Sequence, residues 1–231
     1  MNTNRKTAII VGLLFITATV SAVSQFAFRG SLTAPDYLIE ISANENQVII
    51  AAFLDLIMIA AIFSIPVMLF PILKKHNENI ARGYVVARVF EAVLLVVGTI
   101  SLLSLLTLSR EFVMAGATDA SHYKTLGALL LAACDWTLLI GGQIVFSLTA
   151  LVLNYSLYQS RLIPRSISVW GLIGVPLMFA SGVLVMFGLL SPSSTISTVL
   201  MLPLALQEMV FAVWLIVKGF NPSAIASGSA K

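Results

Sequence analysis

Of 231 residues, 59% are hydrophobic and only 10% are charged, against roughly 25% charged in soluble domains, and the mean hydropathy is +1.01. Apolar runs of about 20 residues follow one another without a polar face at helical or strand period, which excludes a soluble globular domain and indicates an all-α, polytopic membrane protein. The net charge of +3 reads as a topology signal with no basis for nucleic-acid binding, and a single cysteine, Cys134, excludes an intramolecular disulfide.

The chain opens with Arg5-Lys6 and an apolar segment over residues 7–27. Small residues at Ser21-Ala22-Val23-Ser24 are of the kind found at signal-peptide cleavage sites. The run is long enough to span, however, and Thr17, Ser21 and Ser24 share a helical face suited to packing, so an uncleaved first span is expected. Residues 28–45, with Pro35 and the acids Asp36, Glu40 and Glu45, read as a loop with room for a short interfacial helix. A second span over 46–73 carries Asp55, and Pro66 and Pro71 near its far end should kink or stop it. A basic turn over 74–82 leads to a third span, 83–108. Here Arg88 and Glu91 stand one helical turn apart on a shared face, with Tyr84 one turn before the arginine.

After a polar loop over 109–123, a long run over 124–158 holds Asp135, Gly141-Gly142 and Gln143. It reads either as one tilted helix or as a helix that continues along the interface. Pro164 and Arg165 open a fifth span over 166–190, in which Gly171, Gly174 and Gly182 permit close helix approach. The sixth span, 195–217, contains Pro203 and Glu208. The expected organisation is one six-helix transmembrane domain over residues 1–222 and a short flexible tail over 223–231.

Orientation follows from lysine and arginine. Alternate segments starting at the N-terminus hold Arg5, Lys6, Lys74, Lys75, Arg82, Arg161, Arg165, Lys218 and Lys231, while the other set holds only Arg29, Arg110 and Lys124. Both termini are therefore expected on the cytoplasmic side of a plasma membrane.

The order of features resembles the bacterial integral membrane family known as domain of unknown function 4386. The resemblance rests on Phe28-Arg29-Gly30-Ser31-Leu32 after the first span, Asp55-Leu56 in the second and Arg88 in the third. It continues with Ser160-Arg161-Leu162-Ile163-Pro164-Arg165 before the fifth span, and with Glu208 and Trp214-Leu215-Ile216-Val217-Lys218-Gly219 at the end. It implies a six-helix bacterial inner-membrane protein and supplies no activity. Where the family pattern has a histidine close to the fourth-span aspartate, this chain has Trp136 beside Asp135, so no histidine role carries over.

Charge inside the spans is the functional signal. An ionised side chain at mid-bilayer costs on the order of 3 kcal/mol, so five unpaired ones would cost about 15 kcal/mol, more than a typical domain's whole stability. Arg88 against Asp55, Glu91, Asp135 and Glu208 leaves a formal charge of −3 in hydrocarbon. Some of these acids must be protonated, paired, or open to a water-filled or ion-filled cavity. Helical rise places Arg88 and Glu91 roughly 8 and 12 Å from the cytoplasmic edge, Asp55 and Asp135 roughly 12–16 Å below the outer surface, and Glu208 between the two groups. These five residues are the candidate ligand or proton site.

Other chemistries lack their residues. His76 and His122 fall in loops, so a haem held between spans has no ligands. No span contains a lysine for a Schiff base, and there is no Gly-x-Ser-x-Gly, Cys/His cluster or phosphate loop. No cofactor, metal or catalytic residue is assigned, and the reading leans away from an enzyme. A lipid-modifying enzyme ranks third, behind two others. The first is a small proton-coupled transporter or exporter, in which Arg88 binds or gates an anionic group of an ionic or amphipathic ligand while the four acids exchange protons. The second is a non-transporting membrane module that binds lipid or a partner membrane protein. Self-association into a homo-oligomer stays open.

The topology yields a direct test. Tags at either terminus and a reporter at Asn77 should be accessible only from the cytoplasm, and a reporter at Gly116 should be translocated. A cytoplasmic Gly116 removes the six-span arrangement.

Overall fold

The computed structural model of the chain describes residues 3–116 and 120–228. Among them every regular element is helical. Helix α1 covers Thr3–Ser24, followed by two 3-10 turns, Gln25–Phe28 and Gly30–Thr33, and by α2, Tyr37–Ala43. Next come α3, Glu45–Leu73, α4, Glu78–Met114, and α5, Ala120–Leu139. A π turn, Ile140–Val145, leads into α6, Phe146–Ser160. The chain closes with α7, Arg165–Met186, α8, Thr195–Val217, and α9, Pro222–Gly228.

Six helical stretches among the described residues are long and apolar enough to cross a membrane, and the fourth, Ser121–Ser160, is one 40-residue stretch carrying the π turn. This matches the expected all-α, six-span architecture. The short helix for which the first loop had room is α2. Where a tail was expected from Ser223, the described residues form α9, and Ala224 is buried. The last three tail residues, 229–231, and residues 117–119 of the second polar loop lie outside the described residues.

Helix α3 ends at Leu73, the expected bound, with Pro66 and Pro71 inside it. A proline removes one backbone donor, and a membrane helix tolerates this because its carbonyls find other partners in packed neighbours. The third span extends beyond 83–108 at both ends as α4. Its start is supported by Asn77, whose Oδ1 accepts from the Ile80 amide at 3.1 Å, and by an Arg82–Glu78 pair at 2.8 Å one turn apart.

The helix segments group into two compact units, Met1–Ile16 with Ala61–Ala92 and Leu139–Lys231, and Thr17–Ala60 with Val93–Leu138. In the first unit, α1 turns Ala8, Val11, Gly12 and Phe15 inward at helical spacing, and Phe15 meets Phe211 edge-on with ring centres 5.3 Å apart. This differs from the expected Thr17/Ser21/Ser24 seam, of which only Ser21 is buried and Thr17 is exposed. The reason is steric: at Gly12 a Cβ would meet the Ala212 carbonyl, so the close approach of α1 and α8 is made there.

Helix α7 packs on both α6 and α8. Gly171 accommodates the Asn154 side chain, and Gly174 sits against the Leu204 backbone. Polar side chains face each other inside this layer: Gln207 Nε2 donates to Asn154 Oδ1 at 3.1 Å, and the Ser181 and Ser197 hydroxyls are 2.9 Å apart. The apolar exterior explains why sequence periodicity is flat. Phe53, Val86, Ile196 and Val213 are exposed, as lipid-facing residues are, so both faces of these helices are apolar.

In the second unit, Leu38, Ile41, Val48, Ala51, Leu102 and Leu105 form the core. Helix α2 is fastened by the Ser109 hydroxyl, which donates to the Leu38 carbonyl, and Arg110 pairs with Glu45.

Gly174 marks the tightest test of this packing, because an added Cβ would lie 2.9 Å from the Leu204 amide nitrogen, a backbone atom that cannot rotate away. Gly174→Leu should lower stability in detergent unfolding by about 1–3 kcal/mol or more. Gly83→Ala, at an exposed helical position with nothing within 4 Å, should be neutral or stabilising by about 0.5–1 kcal/mol.

Candidate functional site

Arg88 is among the largest fully buried side chains of the protein, 2% exposed, and Glu91 is 1% exposed. Helical spacing alone brings them together: Nη1 of Arg88 donates to both carboxylate oxygens of Glu91, at 3.0 and 3.3 Å. Nε reaches the Tyr84 hydroxyl at 3.3 Å. The guanidinium lies over the rings of Phe146 and Tyr84, 5.3 and 5.7 Å from their centres, so π-faces support the cation where water does not. Glu208 on α8 completes the group. Its Oε1 stands 3.8 Å from Nη2 of Arg88, near enough for an ion pair and too far for a hydrogen bond. Nη2 has no hydrogen-bond partner among the described residues.

The two acids are thus held unequally. Glu91 Oε2 also accepts from the Thr149 hydroxyl at 2.9 Å, giving this carboxylate three charge-assisted contacts, each worth roughly 1.5–3 kcal/mol. Glu208 has Coulomb attraction alone, and its side chain keeps 14% of its surface exposed.

Phe146 and Thr149 could not have been assigned from sequence. They follow directly on the π turn, Ile140–Val145, which inserts an extra residue per turn and rotates the faces of the helix beyond it. The one local signal is Gly141-Gly142, a weak point in an otherwise good helix former.

The second unit holds a separate ionic centre. Arg29, in the turn after α1, extends Nη2 to Asp55 Oδ2 at 2.5 Å, with the two side chains 15% and 5% exposed. Beside the pair is a cavity of about 20 Å³ bounded by Met58, Thr99, Cys134 and Thr137, room for about one water molecule. Asp135 lies outside this ion pair. It is exposed on α5, and Arg29 acts on it only through longer-range attraction. The five expected site residues therefore divide into Arg88, Glu91 and Glu208 in one unit and Asp55 in the other, with Asp135 on the surface. The expectation of one arginine against four acids is corrected by Arg29, which sequence assigned to an outer loop. A flexible side chain of that length reaches back to a span that periodicity cannot link to it.

A protein-family profile described as "Domain of unknown function (DUF4386)" matches residues 10–219. The chain belongs to that family. No curated protein and no solved structure matches it. The DUF4386 match takes in both ionic centres and all six membrane-length helices in whole or in large part.

The geometry of this DUF4386 chain ranks its pairs. Arg88→Leu should destabilise the detergent-solubilised protein by about 3–5 kcal/mol, as expected when a buried pair is broken. In double-mutant cycles read by denaturant unfolding, Arg88 should couple more strongly to Glu91 than to Glu208. Strict additivity with both would show that Arg88 pairs with neither.

Proposed function

We propose that this six-span membrane protein is a small proton-coupled transporter or exporter. The observation that carries the reading is one buried arginine between two carboxylates, one locked by hydrogen bonds and the other held at 3.8 Å by charge alone. One cation neutralises one acid, so Glu208 is the group free to exchange a proton, and Glu91 keeps Arg88 in place while it does. At 3.8 Å the attraction of Glu208 for Arg88 is on the order of 4 kcal/mol at an effective dielectric near 20. Losing it on protonation can shift an equilibrium between two arrangements of α4 and α8 by up to about a thousandfold. The ligand class is a small amphipathic or ionic molecule whose anionic group competes for Arg88 Nη2. Asp55, held by Arg29, is assigned to maintaining its own unit. The bias of nine basic residues to three supports placement in a bacterial inner membrane with both termini inside.

The competing reading is a membrane module that binds lipid or a partner membrane protein without moving protons. In reconstituted vesicles loaded with a pH-sensitive dye, an imposed pH gradient should drive proton movement that requires an added co-substrate, with small organic anions and amphipathic ions tried in turn. Glu208→Gln should abolish that movement with the helical fold intact. Coupled flux persisting in Glu208→Gln overturns the assignment. Wild-type cellular phenotype and stability in Glu208→Gln, Asp55→Asn and Asp135→Asn together would leave the module reading.

A further inference from the structure

At one end of the first unit, where α6 stops, α7 starts and α8 meets α9, the chain folds around a cleft of about 560 Å³, within the size range of small-molecule sites. Its charged lining residues are Arg161, Arg165 and Lys218. No acid lines it, and none of the three forms an ion pair among the described residues. Trp214 supplies an apolar wall with a polar tip. The geometry points to a binding site for a phosphate-bearing anion, with the headgroup of an anionic membrane phospholipid as its source.

A positive-inside bias alone explains cations at a membrane face but not a built cleft. Here the walls are tied together. The Asn221 amide donates to the Leu162 carbonyl at 2.8 Å, joining the α8–α9 turn to the α6–α7 turn. Arg165 is pinned over the Tyr158 ring, 4.8 Å from its centre. Arg161 takes the left-handed conformation at φ 55° that ends α6.

The helix ends are also arranged for an anion. The end of α7 at the cleft is its N-terminus, which carries a partial positive charge. The end of α8 is a C-terminus, whose carbonyls would repel an anion. Those carbonyls are covered by Arg5, which donates to Leu215 at 2.8 Å, Ile216 at 2.5 Å and Val217 at 3.2 Å. Val210, Val213 and Val217 are exposed on α8, the helix that brings Trp214 and Lys218 to the cleft, an apolar surface on which acyl chains can lie. A headgroup in the cleft and chains along α8 suit one molecule. This site is independent of Arg88 and of proton coupling.

The test uses the full chain with Trp136→Phe and Trp170→Phe, so that Trp214 is the sole tryptophan, in phosphatidylcholine vesicles. Brominated phosphatidylglycerol should quench Trp214 at about tenfold or more lower mole fraction than brominated phosphatidylcholine. Arg161→Gln/Arg165→Gln/Lys218→Gln should remove that preference. Lys6→Gln/Lys74→Gln/Arg82→Gln, which takes three charges from the same unit without touching the cleft, should keep it. Equal loss in both triple variants, or no preference in the starting protein, overturns the proposal, and the latter outcome needs no charge variant to fold. Inorganic pyrophosphate that displaces the brominated anionic lipid and protects the cleft equally well without it would support the anion site while assigning it to a soluble phosphate.

Discussion

An ionised side chain in hydrocarbon must find compensation within the protein, and the pairing of Arg88 with Glu91 meets that demand on which the first unit's interior is built. The guanidinium occupies a volume that would otherwise be filled by an apolar residue. It is met by a carboxylate one turn away, the Tyr84 hydroxyl and two aromatic faces, and that carboxylate is held in turn by the Thr149 hydroxyl. Those partners come from α4 and α6, with Glu208 approaching from α8. The same rule governs the second unit on a smaller scale, where Asp55 would be a bare charge in a span without Arg29.

Compensation is unequal by construction, and this inequality separates structure from function. Glu91 is over-satisfied and behaves as part of the scaffold. Glu208 has no hydrogen bond among the described residues and retains some exposure, which sets it apart from Glu91. A site with every donor and acceptor matched would be stable and inert. One loosely held member allows a response without dismantling the rest.

How much of this was legible in the sequence depends on the range of the contacts. Span number, the Arg88–Glu91 contact and the place of Tyr84 follow from local spacing, because helical geometry fixes which residues share a face. Glu208 could be named as an intramembrane acid but not placed beside Arg88, since neighbours on different helices leave no periodic trace. Phe146 and Thr149 were out of reach because a π turn resets the register just before them. Arg29 was placed correctly in the connection after the first span, but its pairing with Asp55 went unseen for a related reason: a long side chain reaches a span to which no periodicity links it. Asp135 shows the opposite failure. A position inside an apolar run says nothing of which way the side chain faces, and α5 leaves it on the surface.

The contact of Arg5 with the last turn of α8 has a consequence for biogenesis. The first helix is synthesised long before the eighth, and until then Arg5 has no α8 carbonyls to meet. Once α8 arrives, the same guanidinium closes that helix's open carbonyls, and Gly12 receives the backbone of Ala212. The opening segment of the chain therefore completes its packing last, and a nascent protein stalled after α7 would keep an unmatched seam on α1.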